Sequence, residues 1–175
     1  MTVLDLYCGL GGFGQAFRDR GHKVYGLDIV PPADVIADAR ALPFRDGLAP
    51  DALLAAPPCT DFARESMPWC RTGKAPDMAL VRAAFDAVER LKPRFWVIEN
   101  VRGARPYMPM PVMRVGSRYL WGYFPIPLMG SHGRCFGKEH IGPNVTNRAR
   151  LRSLIPYDLS LALCKAMEAA INVAA

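Results

Sequence analysis

Apolar positions along this chain fall into short runs separated by glycine, proline and amphipathic stretches. Residues 3–7 (Val-Leu-Asp-Leu-Tyr) form an apolar run of the kind that makes a buried parallel strand. It breaks into Cys8-Gly9-Leu10-Gly11-Gly12-Phe13-Gly14, after which a helix is predicted over 12–20, ending at Gly21. Residues 24–28 give a second strand with Asp28 at its tip, and residues 34–38 a third, ending in Asp38. The run 51–56 stops at Pro57-Pro58, because proline cannot donate to a ladder, and Cys59 follows on a loop at the strand end. A loop is predicted over 61–77. An amphipathic helix then covers 78–91, with Asp77 as its cap and Leu80, Val81, Ala84, Phe85, Val88 and Leu91 on its apolar face. Residues 95–101 form the next strand, apolar until Glu99. Residues 119–124 read as a further strand, and 156–173 as a closing helix with Leu159, Leu163, Cys164 and Met167 on one face.

Length and composition narrow the picture. At 175 residues the chain fits one domain, and 51% apolar with 22% charged residues is ordinary for a globular protein. Five cysteines are scattered with no Cys-x-x-Cys pair, which argues against a disulfide framework and for a reducing compartment. No apolar run approaches the roughly 20 residues of a spanning helix. The first residues lead straight into a strand with no cleavable signal, so the expected location is cytoplasmic, away from membranes. A net charge of +6 is compatible with a polyanionic partner.

The strand tips carry the candidate chemistry. Strand, glycine turn and helix together make a nucleotide-cofactor loop, although the glycine spacing does not suit a pyrophosphate. Asp28 follows Asp5 at close to the offset at which an acid meets a ribose hydroxyl. Cys59 lies where ligands bind in open α/β sheets and is either a nucleophile or a small half-buried residue beside a turn. Glu99 ends a buried strand, at a cost that implies a purpose: contact with a ligand, or pairing with an arginine or a helix end. Asn100 could orient it. The loop 61–77 has the length of a lid and carries Arg64 and Arg71; it suits either a nucleic acid or solvent. Residues 102–150 are irregular, basic and aromatic, as expected where phosphates are gripped and bases stacked. His132, Cys135 and His140 invite a metal but lack a fourth ligand at the usual spacing, so none is expected.

Taken together, these residues resemble the cytosine-C5 DNA methyltransferases. Residues 5–13 look like that family's S-adenosylmethionine loop, Pro57-Pro58-Cys59 like its nucleophile motif, and Glu99-Asn100-Val101 like its Glu-Asn-Val motif. The resemblance implies a Rossmann-like class I methyltransferase fold, α/β, with a mostly parallel sheet flanked by helices. It implies S-adenosylmethionine as cofactor, held by Asp5, Tyr7, Cys8, Gly9, Gly11, Gly12, Phe13, Asp28, Ile29, Asp38, Ala39 and Pro57. It implies catalysis by Cys59 and Glu99, with Pro58, Thr60, Asn100, Arg64 and Arg71 at the substrate. That substrate would be a cytosine flipped out of duplex DNA or presented on a single strand.

The departures are specific. Thr60 stands where the family has Gln, and no Gln-x-Arg-x-Arg motif follows; Arg118 is the stand-in for its arginine. Residues 1–175 read as one catalytic domain, with 102–150 in place of a full target-recognition domain. A short recognition site, a specificity partner protein, a homodimer or an RNA substrate would each account for that. A non-catalytic subunit that binds cofactor or DNA is the alternative from another class.

Overall fold

The computed structural model describes residues 1–128 and 154–173. Seven strands form one sheet: β1 (Thr2–Leu6), β2 (Lys23–Asp28), β3 (Val35–Ile36), β4 (Ala52–Ala55), β5 (Phe95–Val101), β6 (Met113–Val115) and β7 (Arg118–Tyr123), in spatial order β3-β2-β1-β4-β5-β7-β6. The first five run parallel; β7 pairs antiparallel with β5, and β6 with β7. Helices α1 (Gln15–Asp19), α2 (Thr60–Glu65), α3 (Ala79–Leu91) and α4 (Tyr157–Val173) flank it. This is the expected Rossmann-like α/β arrangement. Among the described residues no helix is long and apolar enough to cross a membrane.

Side-chain alternation assigns each strand residue to one of two cores. Leu4, Leu6, Leu53, Ala55, Ile98 and Trp121 pack against α3 on one face. Val3, Leu54, Phe95, Val97 and Leu120 pack with Phe17 of α1 and Leu159, Leu163 and Met167 of α4 on the other. Both faces are covered, which is why the parallel strands read as continuous apolar runs. By the same parity Asp5 and Glu99 belong to the α1/α4 face, and Asn100 to the α3 face.

Four local expectations are corrected. The helix predicted over 12–20 is only Gln15–Asp19, because positive φ at Gly9 and Gly11 turns the preceding chain away from helical geometry. The loop predicted over 61–77 begins as α2; the Cys59 carbonyl accepts the Ala63 N–H at 2.8 Å, and the acid of Asp61 sits in the first turn. The segment 102–150 is not irregular throughout. Residues Arg102–Tyr107 form a 3₁₀ segment, and β6 and β7 extend the sheet, since the β5 edge needs a hydrogen-bonding partner. The helix at 79–91 does not take Asp77 as its cap: Met78 holds that position without a side-chain cap, and Asp77, one residue earlier, accepts the Ala79 N–H at 2.8 Å in a local turn.

Candidate active site

Parallel pairing brings the C-terminal ends of β1, β4 and β5 to one sheet edge. Ala56 still pairs with Leu6, its N–H reaching that carbonyl at 3.3 Å; then Pro57 and Pro58 end the ladder. Cys59, half-buried, is the residue from which α2 springs. Asn100 is fully buried and donates to the Pro57 carbonyl at 3.2 Å while accepting the Val101 N–H at 2.8 Å. It ties the cysteine loop to β5. Asn100, expected at the substrate, thus tethers the loop that carries Cys59.

A cavity of about 320 Å³ opens at this edge, lined by Pro58, Cys59, Met67, Glu99, Arg102 and Arg118 among others. Arg118 reaches Glu99 because of register. Leu120 lies opposite Glu99 across the β5–β7 pair, and Arg118, two residues earlier, shares that face as the diagonal neighbour. Its Nη1 donates to Glu99 Oε1 at 2.9 Å and its Nη2 to the Leu154 carbonyl at 2.7 Å. Glu99 is only 6% exposed. Burial pushes its carboxyl above the usual range, and Arg118 pulls the other way without cancelling the effect.

The glycine loop after β1 is held from below. Gly9 N–H donates to Asp28 Oδ2 and Gly14 N–H to Asp5 Oδ2, both at 2.9 Å. Asp5 is fully buried, and its Oδ1 has no hydrogen-bond partner among the described residues; burial raises its carboxyl to about 7. It supports the loop from inside the core. Tyr7, Cys8, Gly9, Gly12, Phe13 and Ala56 line a small cavity of about 60 Å³, closed on the other side by Leu154 and Ile155. Ala56 lines both cavities, so they adjoin. Ile29, 68% exposed, follows Asp28 at the strand tip. Pro57 lines the larger cavity.

The remaining expected residues are dispersed. Gly11 is not on the small cavity's wall; its N–H closes the turn onto the Cys8 carbonyl at 2.7 Å. Asp38 caps the 3₁₀ turn Ala39–Ala41 and pairs with Arg40, which holds its carboxyl down at about 2. Ala39 lines a separate groove of about 370 Å³ beside α3. Thr60 is exposed at the start of α2. Arg64 pairs with Asp61 and Glu65, each at 3.2 Å, and Arg71 donates to the Glu65 carbonyl at 3.1 Å; neither lines the cavity. His132, Cys135 and His140 lie outside the described residues. Elsewhere His22, Cys164 and Glu168 converge, but Arg20 already holds both Glu168 oxygens.

Two groups were not among the expected site residues. Glu65 accepts from Thr72 N–H at 3.0 Å, Thr72 Oγ1 at 2.5 Å and Gly73 N–H at 3.0 Å, folding residues 66–73 back on α2. No periodicity announces such a clasp. Arg102, on the cavity wall, could have been found: it is the first residue after the Glu-Asn-Val run.

No known family profile matches the chain. Over 86 residues it is 34% identical to an uncharacterised RNA methyltransferase of Enterococcus faecalis, covering 37% of this chain and 18% of that protein. Over 124 residues it is 30% identical to the type II methyltransferase M.AgeI of Thalassovita gelatinovora, covering 59% and 28%. A solved structure of a candidate DNA modification methyltransferase encoded in an E. coli prophage aligns with 59% of this chain and 33% of that one, at 22% identity and a TM-score of 0.44. The chain thus spans less than a third of the length of these two curated relatives.

Proposed function

We propose that this chain transfers a methyl group from S-adenosylmethionine to carbon-5 of a cytosine in DNA, with Cys59 as nucleophile and Glu99 against the base. The observation that carries this is one cavity with Cys59, Glu99 and Arg118 on its wall, adjoining a second at the glycine loop through Ala56. The similarity to a type II methyltransferase supports methyl transfer to DNA.

The cofactor is judged by the residues around the loop. Apolar Phe13, Leu154 and Ile155 offer a wall for its adenine ring and the carbons beside its sulfonium, and the Asp28 carboxylate at the end of β2 an acceptor for ribose hydroxyls. These fit. At about 60 Å³ the cavity admits only part of such a molecule. When bound, the cofactor supplies an electrophilic methyl.

Cytosine carbon-5 is a weak nucleophile. Addition of the Cys59 thiolate to carbon-6 pushes electron density onto carbon-5. Glu99, whose carboxyl burial pushes toward the protonated form, gives a proton toward ring N3, and its other oxygen accepts from the exocyclic amine. Arg118 fixes the carboxyl rotamer and balances the charge left on Glu99 when that proton moves. Carbon-5 takes the methyl as its bond to the sulfonium sulfur breaks, which leaves a neutral thioether; the carbon-5 proton then leaves to solvent, Glu99 takes back its proton, the Cys59 bond breaks, and the ring regains aromaticity. A base inside a duplex must leave the stack to reach such a cavity.

The test is trapping on a 5-fluorocytosine oligonucleotide with cofactor present. Fluorine cannot leave as a cation, so a working enzyme stalls as a covalent adduct. A stable adduct that Cys59→Ala abolishes is expected; its absence on DNA and RNA alike, with cofactor bound, would sink the proposal. RNA is the second reading, favoured by the Enterococcus relative, and an adduct on an oligoribonucleotide alone would select it.

A further inference from the structure

The 3₁₀ segment and the β6–β7 hairpin carry cations that the mechanism above leaves unused. Residues 100–138 contain no Asp or Glu, against six Arg and Lys. Arg102, Arg105 and Arg114 are exposed, and among the described residues none pairs with a carboxylate. Elsewhere Arg18, Arg20, Arg40, Arg64 and Arg90 rest on an acid, whereas Arg45, Arg71, Arg82 and Arg94 do not but are scattered rather than clustered beside the cavity.

These guanidiniums are nonetheless placed. Arg105 and Arg114 lie over the same buried ring, that of Tyr119, at 5.3 and 5.6 Å from its centroid. Arg114 is further fixed by donating from Nε to the Gly116 carbonyl at 2.8 Å. Two like charges held near one ring repel each other, and an anion bound beside them lowers that cost. Arg102 stands on the wall of the cavity that holds Cys59 and Glu99. The cations therefore begin at the cavity wall and continue onto β6. Tyr107, on the 3₁₀ segment beside them, is 46% exposed and offers a face for a base.

We propose that Arg102, Arg105 and Arg114 form the track for the phosphodiester backbone of the DNA strand whose cytosine enters the cavity. The proposal rests on the nucleic-acid reading above and adds the surface that holds the strand. Phosphate contacts of this kind give affinity and orientation without sequence preference.

The experiment is the salt dependence of binding to a DNA oligonucleotide, for wild type, Arg105→Ala/Arg114→Ala and Arg105→Lys/Arg114→Lys. Arg45→Ala/Arg82→Ala, which removes two exposed charges elsewhere, serves as control. Loss of two phosphate contacts is expected to lower the log–log salt slope by about 1.5–2 and affinity roughly 10–100-fold, while the Lys pair keeps the slope. Cofactor affinity, measured on the same samples, separates a lost surface from a misfolded protein. An unchanged slope in the Ala pair, with wild type binding DNA, overturns the track alone. So does an equal fall in the control pair, which would mean diffuse charge. Binding only to RNA overturns the DNA assignment, and wild type that binds cofactor but neither nucleic acid overturns the track and the proposed function together.

Discussion

Arg118 and Glu99 are joined at 2.9 Å between Nη1 and Oε1, across the only antiparallel pairing that β5 makes among the described residues. The same guanidinium holds the Leu154 carbonyl at 2.7 Å, so one side chain links the buried acid Glu99 to the segment that lines the small cavity. Burial raises Glu99 and Arg118 opposes it. Arg118→Ala removes that opposition, so Glu99 should hold its proton to still higher pH. The expected result is a single-turnover rate lower by about 10²–10³-fold, from loss of a charge-stabilising donor. The alkaline limb of the pH–rate profile should move upward. A profile that keeps its midpoint would mean that Glu99 does not titrate in the step measured.

Cys59 stands at the head of α2 on the cavity wall. Replacing it with Ala removes the sulfur proposed to activate carbon-5 and little packing. Methyl transfer should fall to background while cofactor affinity stays within about twofold, well under the 1.4 kcal/mol that a tenfold change represents. Filter-binding of labelled cofactor and tritium transfer to DNA, run in parallel, give both numbers. Residual transfer at a tenth of the wild-type rate would remove Cys59 from the mechanism.

How much of this was legible follows from how each feature is encoded. The strands at 3–7, 51–56 and 95–101 were readable because a parallel sheet covered on both faces needs uninterrupted apolar runs, and the prolines after Ala56 mark where pairing ends. Arg118 could be singled out only as a stand-in. Its meeting with Glu99 depends on the β5–β7 register, which no local pattern states. The burial of Asp5 and Asn100 was not legible for a related reason. Their positions beside the motifs are visible in the chain, but the face each side chain takes is decided by strand parity, and both point into a core. The Glu65 clasp involves residues seven and eight positions away in a loop, so it has no period to detect.

Gly103 sets how closely the 3₁₀ segment approaches α2. A methyl group there would run into the Phe62 carbonyl and the Ser66 hydroxyl, and the first of these is backbone that cannot swing aside. Gly103→Ala should destabilise the fold by about 1–3 kcal/mol, the usual cost of overpacking. Because Gly103 and Ser66 both line the larger cavity, its walls should also part. Urea denaturation measures the first effect; a rise in KM for DNA exceeding that for cofactor measures the second. A stable variant with unaltered KM values would show that α2 and the 3₁₀ segment move apart freely.

The clasp at Glu65 makes a prediction about the chain between α2 and α3. Its carboxylate gathers Thr72, Gly73 and Arg64, and Met67 on the same segment lines the cavity. Glu65→Ala releases these donors together, whereas Glu65→Gln keeps an acceptor oxygen. Limited proteolysis should cut the Ala variant within 66–77 several times faster than wild type, with the Gln variant between them. Equal cleavage in all three would mean that the segment is held by something other than this side chain.

Asp5 fixes how stability depends on pH. Its carboxyl is raised from an ordinary 3.8 to about 7, chiefly by burial, with the Gly14 N–H acting in the opposite direction. In the unfolded chain the group ionises near pH 4; in the folded protein it stays protonated until about pH 7. The unfolded state therefore binds fewer protons across that interval, and stability falls as pH rises through it. The stability present below pH 4 is lost by about pH 7, a difference on the order of 4 kcal/mol for this one group. Asp5→Asn keeps an oxygen for Gly14 N–H and removes the titration. Thermal melts of the two proteins between pH 4 and 8 should converge at the acid end apart from a constant offset. At the neutral end the variant should gain on wild type. The gain must appear as a change of slope with pH, since a constant difference would reflect only the amide's packing and would mean that Asp5 is already ionised in the folded protein at pH 5.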